Sequence, residues 1–415
     1  MLRRTLLRSG LRSGLAAFAL GAVPLARRAA AELRKMKITR VRLYESPITR
    51  PMINQSHHIV TVETDAGITG IGEGGSADLI RDCAVHLIGR DPSRIDALWQ
   101  LMYRGSFYPA GREKLHALGA LDMALWDIKG KALGVPVYEL LGGASRDYLE
   151  CYSTGFPSKA SWRDAASACI QAGFRAIRIS VAEPPRDAQN RLQPFNAQQI
   201  VRRTHQNCIE TRAGVGNADW AIDFHTRFDM PDAVRLATLI EPLEPFFVED
   251  LVRSENPSVY RQLRQQVKVP IAVGEQFGDR WDINELIEGR LIDYSRVSLP
   301  NCGGITEFVK HAAICETHYV GLIPHFTGPI SEAALVHCCA PFSGPVLMEM
   351  RGAGPVPAAY LTNSFDFIEG KVRLNTRPGL GVDFKPDGLK LLAEADKAAE
   401  PVPQYRRPDG SFTNW

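Results

Sequence analysis

Short apolar runs recur through the middle of this chain, and each ends in a polar or charged residue. WAID closes on Asp223, PFFVE on Glu249, IAVGE on Glu275, YVGLIPH on His325 and PVLME on Glu349. Twenty-six residues separate Asp223 from Glu249 and again Glu249 from Glu275, and 24 separate His325 from Glu349. An interval of that size holds a strand, a loop, a helix and a return loop, and a repeated βα unit closes into a parallel barrel. The same rhythm extends to LIDYSRVSLPNCGGITE, with a strand ending near Ser298, and upstream to GFRAIRIS, ending near Arg178 to Ser180, and LECYST around Tyr152. Six or seven units of one repeat are predicted, with every run-terminal residue at the C-terminal end of a strand.

Outside the repeat the pattern changes. MKITRVRLYES and HIVTVETDAGITGIGEG alternate as antiparallel strands with DAG as a hairpin turn, and LIRDCAVHLIG, SRIDALWQLMYR and LHALGALDMALWDIKGKALG follow with helical periodicity. The reading is an α+β module over 36–148 that covers the mouth of a barrel over 149–355. A turn-rich, charged segment, 356–415, returns to pack on the first module.

The first 35 residues carry Arg3 and Arg4, an apolar stretch from Gly14 to Ala26, and Ala29, Ala30 and Ala31. This is the layout of a secretory signal, and the arginine pair predicts the twin-arginine route to the periplasm. The stretch is too short to span a bilayer, so no membrane attachment is expected after its removal. The alternative is a cytoplasmic protein translated from Met36, where MKITRVRLYES reads as an ordinary first strand.

With 415 residues, 45% of them apolar, the chain can bury a large core in two domains. A net charge of only +3, and no basic stripe interleaved with aromatics, excludes nucleic acid as a partner. The eight cysteines form no CxxC pair and no zinc spacing, which predicts buried free thiols.

One strand-terminal acid usually caps a helix or pairs on the surface. Three at one spacing converge on the catalytic face of a barrel, where Asp223, Glu249 and Glu275 can share a hard divalent cation through oxygen ligands. The reading is a Mg²⁺ site. His325 and Glu349 face the same cavity.

Four segments then carry a family resemblance: LHALGALDMALWDIKGKALGVPVYELLGG, the three spaced acids, the NCGGITEF turn and the RPGLGVDF tail. From Met36 to about residue 395 the chain resembles the enolase superfamily in its mandelate racemase branch. YRGSFYPAG, IDFHTRF and IPHFTGPI are most similar to galactonate-type acid-sugar dehydratases. The resemblance implies an α/β fold, a modified TIM barrel of (β/α)7β type with its capping domain. It also implies Mg²⁺, a small sugar acid as substrate and a homo-oligomer.

A proton on the carbon beside a carboxylate is weakly acidic, because its removal puts a second negative charge on an anionic group. Mg²⁺ on the three acids stabilises that charge, and His325 is the candidate base. His225, two residues beyond Asp223, is expected on the same side of an extended segment, where it protonates a departing β-hydroxyl. The product is a 2-keto-3-deoxy acid, and the resemblance implies the same role for this DFH arrangement. Racemases and cycloisomerases of the branch carry a Lys-x-Lys pair where this chain has Arg178-Ile179-Ser180. Glu349 is expected to hydrogen-bond the substrate carboxylate in protonated form. Arg104 and Tyr108, with Tyr103 and Arg112, are candidate readers of the substrate hydroxyls, and the loop from Ile48 to His58 is a candidate lid.

Two positions depart from the family's pattern. Ser298 stands where relatives with a histidine base carry an aspartate, in a run similar to PDLSHAGG, so His325 is expected to be a weaker base, to borrow a carboxylate such as Asp279 or Asp282, or to work as an acid instead. Asp250 follows Glu249, in VEDL, where relatives show EEP. The alternatives to dehydration are racemisation, epimerisation or cycloisomerisation through the same enediolate, and a sugar-acid binding protein on a decayed site.

Overall fold

The computed structural model describes residues 36–47, 58–105, 107–157, 160–355, 358–362, 365–399 and 405–413. The candidate signal and most of the candidate lid, 48–57, lie outside the described residues.

Three antiparallel strands, β1 (Ile38–Glu45), β2 (His58–Thr64) and β3 (Thr69–Glu73), open the chain. The DAG turn between β2 and β3 needs glycine, since Gly67 has φ +74°. Three helices follow: α1 (Ala77–Ala84), α2 (Ile95–Arg104) and α3 (Arg112–Leu133), and then the short α4 (Val137–Leu140). Helix α3 is the spine of the molecule, buried along most of its length because it separates the cap sheet from the barrel. Strand β3 lies directly on it. A Cβ at Gly70 would stand 2.0 Å from the Ala124 carbonyl oxygen, and one at Gly72 1.9 Å from that of Ala120, so only glycine permits this approach.

Eight parallel strands form the barrel: β4 (Tyr148–Thr154), β5 (Ala176–Ser180), β6 (Asp219–Asp223), β7 (Phe247–Glu249), β8 (Ile271–Val273), β9 (Tyr294–Ser295), β10 (Gly321–Leu322) and β11 (Met348–Arg351). Successive strands pair from β4 to β10, and β11 pairs β4. A parallel bridge from Leu322 to Val346 closes the ring. The seven intervening helices are α5 (Trp162–Gln171), α6 (Ala197–Val215), α7 (Met230–Ile240), α8 (Val259–Gln266), α9 (Arg280–Glu288), α10 (Ile305–Thr317) and α11 (Pro329–Cys339). This is the (β/α)7β arrangement. Its interior is filled by side chains that differ in size from strand to strand, Tyr152, Ala176, Ala221, Phe247 and Ala272 among them, so the barrel is a packed core.

After the barrel, β12 (Asp366–Ile368) and β13 (Lys371–Arg373) form a hairpin against the start of β4, and β14 (Leu391–Ala395) pairs antiparallel with β1. The tail thus completes the cap sheet.

Three of the four segments that carried the resemblance, all but the spaced acids, turn out to be one joint. Asp122 on α3 accepts hydrogen bonds from Thr306 N at 2.9 Å and Thr306 Oγ1 at 2.6 Å, which ties α3 to the NCGGITEF turn. Gly304 in that turn has φ +90°, and a Cβ there would lie 2.5 Å from the Asp122 carboxylate. One α-helical face further on, Asp127 accepts from Ile71 N at 3.1 Å and from Leu380 N, in the RPGLGVDF tail, at 2.8 Å. Every oxygen of these two buried carboxylates accepts at least one hydrogen bond, as burial demands.

Candidate active site

The parallel register sets the site. Ser180 pairs with Asp223, Asp223 with Glu249 and Glu249 with Ala272, so the ends of β5 to β8 stand level around one rim. Beyond the regular strands, Ser298 bridges His325 in the same parallel sense. Asp223, Glu249, Glu275, His325 and Glu349 are all buried at this rim.

Two arginines that the run-terminal pattern did not single out hold these acids. Arg178, inside β5, places Nη1 2.5 Å from Asp223 Oδ2 and 3.0 Å from Glu249 Oε2, and Nη2 3.2 Å from Glu349 Oε1. Its Nε donates to Thr154 Oγ1 at 3.2 Å. Arg296, just past β9 and fully buried, has Nε 2.5 Å from Glu249 Oε1 and donates from Nη2 to Glu349 Oε2 at 2.9 Å. Nη1 of the same residue donates to the Tyr152 hydroxyl. The signal for Arg178 was a lone arginine inside an apolar strand, AIRIS, where an outward-facing charge would meet the helical shell.

Glu349 is ionised, which corrects the protonated acid expected from the sequence. Burial alone would raise its pKa, but the Arg296 and Arg178 guanidinium groups outweigh that and hold it well below the usual carboxylate range. Thr154 Oγ1 donates to it at 2.5 Å and Phe326 N at 3.0 Å, completing a cradle built for the anion.

His325 Nδ1 lies 2.7 Å from Ser298 Oγ, and Nε2 lies 3.4 Å from Glu275 Oε2. Neither aspartate proposed to support it does so. Asp279 caps α9 and accepts from the Tyr103 hydroxyl at 3.0 Å, while Asp282 pairs with Arg112 at 2.7 Å. Burial lowers the pKa of His325, with the Glu275 and Glu349 charges acting in the opposite direction.

His225 reaches the cluster by a route different from the one its spacing implied. Strand β6 stops at Asp223, and His225 and Thr226 turn through φ 52° and 56°, a left-handed conformation rather than an extended one. The turn is fixed by His225 N, which donates to Asp223 Oδ1 at 2.5 Å, and by Thr226 N, which donates to Asp250 O at 2.9 Å. It delivers His225 Nε2 to 3.6 Å from Glu275 Oε1. The two imidazoles therefore approach the two different oxygens of one carboxylate.

The groups expected to read the substrate hydroxyls sit differently. Tyr103 and Arg112 are engaged with Asp279 and Asp282 on α9, seating the cap on the barrel loops. Arg104 closes α2 with Nε on Gln100 and its guanidinium over the Tyr103 ring, and Tyr108 is 77% exposed.

A divalent cation fits this donor set. Oxygens of Glu249, Asp250 and Glu275 lie within 4.8 Å of one another, and all three residues are buried. Asp250 Oδ2 is buried without accepting a hydrogen bond, which leaves lone pairs for a hard ion, and Glu249 Oε1 meets the Arg296 Nε as an ion pair. Burial raises the pKa of Glu249 and of Asp250, the penalty of a carboxylate cluster in a low dielectric. Five carboxylates, those of Asp223, Glu249, Asp250, Glu275 and Glu349, face two arginines, and a further positive charge is electrostatically favourable.

The chain resembles known proteins along most of its length. Residues 36–142 match the family described as mandelate racemase / muconate lactonizing enzyme, N-terminal domain, and residues 161–388 the one described as enolase C-terminal domain-like. The chain is 35% identical over 405 residues to a D-galactonate dehydratase of Xanthomonas oryzae pv. oryzae, covering 92% of this chain and 100% of that protein. It is 36% identical over 400 residues to a D-galactonate dehydratase of Ralstonia pickettii, again covering 92% and 100%. Among solved structures, an enolase from Pantoea ananatis with bound D-gluconate and Mg superposes with a TM-score of 0.74 at 28% identity, over 84% of this chain and 93% of that one.

Proposed function

This chain belongs to the mandelate racemase / muconate lactonizing enzyme branch of the enolase superfamily, and from that premise we propose that it is a Mg²⁺-dependent hydro-lyase that dehydrates a galactonate-like aldonate. The observation that carries the reading is the pair of imidazoles on the two oxygens of Glu275, His325 at 3.4 Å and His225 at 3.6 Å. Dehydration needs one group to take a proton and a second to give one.

Asp223, Glu249 and Glu275 would hold the cation, with Asp250 beside them. When bound, the ion supplies positive charge at the substrate carboxylate and offsets the second negative charge created when the α-proton leaves. His325 Nε2 takes that proton, while Ser298 fixes the ring through Nδ1. The electron pair left on the α-carbon forms the enediolate. Its collapse forms a carbon–carbon double bond between the α- and β-carbons and breaks the bond to the β-hydroxyl, which leaves as water with a proton from His225. The enol then tautomerises to the 2-keto-3-deoxy acid. Glu349, ionised and locked, orients Arg178 and Arg296 rather than binding the substrate as an acid.

The test is protein translated from Met36, incubated with Mg²⁺ and a library of aldonic and aldaric acids in D₂O. A 2-keto acid accompanied by loss of the substrate's α-proton signal is the expected result. Deuterium entering recovered substrate without water loss would shift the reading to epimerisation, and silence across the library would overturn catalysis. We also infer export of the folded protein by the twin-arginine route. The support is the leader's layout together with eight cysteines that are all buried and unpaired, a state that oxidative folding outside the cytoplasm would endanger.

A further inference from the structure

We propose that Arg178 is a resident counter-cation which holds Asp223 in the metal-free protein and is displaced when the divalent cation arrives, so that it sets the affinity of the site. The inference rests on the metal-dependent reading above. Asp223 Oδ1 is occupied by the backbone N of His225 at 2.5 Å, which leaves Oδ2 as the oxygen free to become a ligand. That oxygen is the one 2.5 Å from Arg178 Nη1. An ion at the usual Mg–O distance of about 2.1 Å from Oδ2 would sit no farther than about 4.6 Å from Nη1, two positive centres in one buried pocket. Both cannot hold this carboxylate comfortably.

The donor cluster points the same way. The oxygens of Glu249, Asp250 and Glu275 already lie within 4.8 Å of one another, and Asp223, outside that group, has Oδ2 on the guanidinium. Of the two arginines, Arg178 is the one able to yield. Each is bound to four groups, Arg296 to Glu249, Glu349, Tyr152 and Ile323 O and Arg178 to Asp223, Glu249, Glu349 and Thr154, but Arg296 is fully buried whereas Arg178 retains 7% side-chain exposure at the rim. Releasing Nη1 gives up both Asp223 and Glu249 Oε2, the latter at 3.0 Å, and leaves Nη2 on Glu349 and Nε on Thr154 as a pivot. The two arginines thus offset part of the acids' charge as the cage folds.

Isothermal titration with MgCl₂ alone, and melting temperatures in EDTA and in Mg²⁺, separate the possibilities. Arg178→Met is expected to bind Mg²⁺ about tenfold more tightly or better, as a hydrogen bond to a charged partner no longer has to be broken. It should melt lower than wild type in EDTA and gain more from Mg²⁺. Unchanged or weaker binding by Arg178→Met would overturn the inference and make Arg178 a support of the site. If Arg178→Met does not fold, Arg178→Lys decides. It keeps the charge but loses the two-nitrogen grip, so its Mg²⁺ affinity should exceed that of wild type, and affinity at or below wild type would overturn the proposal. Wild type that binds no Mg²⁺ at all would instead sink the metal-dependent reading itself.

Discussion

Ser298 Oγ stands 2.7 Å from His325 Nδ1, so a neutral hydroxyl fixes the ring of the proposed base. A hydroxyl orients an imidazole but does not stabilise imidazolium by charge. With burial lowering its pKa, His325 stays neutral and competent as a base down to below its ordinary value near 6.5. The acid limb of kcat/KM is therefore expected below pH 6.5. Ser298→Asp should raise the pKa of the ring and move that limb to higher pH, whereas Ser298→Ala should leave its position nearly unchanged and lower kcat about fivefold, the worth of one orienting hydrogen bond. A pH profile of each variant checks both, and an acid limb that Ser298→Asp does not move would argue against His325 as the base.

The two histidines make separable predictions. His325→Asn should abolish both dehydration and exchange of the α-proton with D₂O, by about 10² to 10⁴-fold. His225→Asn should suppress dehydration to a similar degree yet leave exchange measurable, since the enediolate still forms and returns. Proton NMR of recovered substrate reads both. Loss of exchange in His225→Asn would mean that the two rings do not divide the labour in this way.

Glu349 links stability to pH. Its folded-state pKa is depressed by Arg296 and Arg178 against the opposing effect of burial, so its contribution is fully present above the unfolded carboxylate value near 4.3. That contribution is lost as pH falls below it. Glu349→Gln leaves two buried guanidinium groups undercompensated and should cost about 3–5 kcal/mol at pH 7, with a flatter stability profile toward acid. Urea denaturation of metal-free protein at pH 7 and at pH 4 tests the sign as well as the size.

The seat of the cap on its spine depends on the absence of a methyl group. Gly72→Ala places a Cβ 1.9 Å from the Ala120 carbonyl oxygen, on backbone that cannot rotate away. The expected loss is about 3 kcal/mol, at the upper end for overpacking, with β3 lifted from α3. Hydrogen exchange at the amides of β2 and β3 should accelerate, and an unchanged exchange pattern would show that the helix accommodates the methyl.

The acids and His325 were legible because a parallel barrel turns sequence period into position. Each strand end lands on the same rim, so Asp223, Glu249, Glu275, His325 and Glu349 converge whatever the helices between them contain. What the period could not convey is which way each group is held. The left-handed turn that delivers His225 comes from one local hydrogen bond, to Asp223, and one across to Asp250 beyond the next strand, a partner that the sequence spacing does not announce. The charge state of Glu349 likewise depends on Arg178 and Arg296, 171 and 53 residues away in sequence. The regular part of β9 is only two residues long, too short for an apolar run to reveal that Arg296 points inward. The motifs shared with the enolase superfamily were visible as strings, yet their common cause, a single helix gripping two distant turns through Asp122 and Asp127, appears only in three dimensions.

The pairing of β1 with β14 sets a schedule for biosynthesis. Arg42 and its partner Glu394 are 352 residues apart, an interval that takes roughly 20–70 s to translate at 5–20 residues per second. Throughout that time the outer edge of β1 is an unpaired strand on a nascent chain, the template on which neighbouring polypeptides add. Arg40 and Arg42 lie along that edge and later meet Glu394, at 3.5 Å and 2.8 Å. Before Glu394 exists, Arg42 has Glu63 of β2 at 2.6 Å and Arg40 adds a second positive charge, so a pair of residues that serves the finished sheet also keeps net positive charge on the unfinished edge.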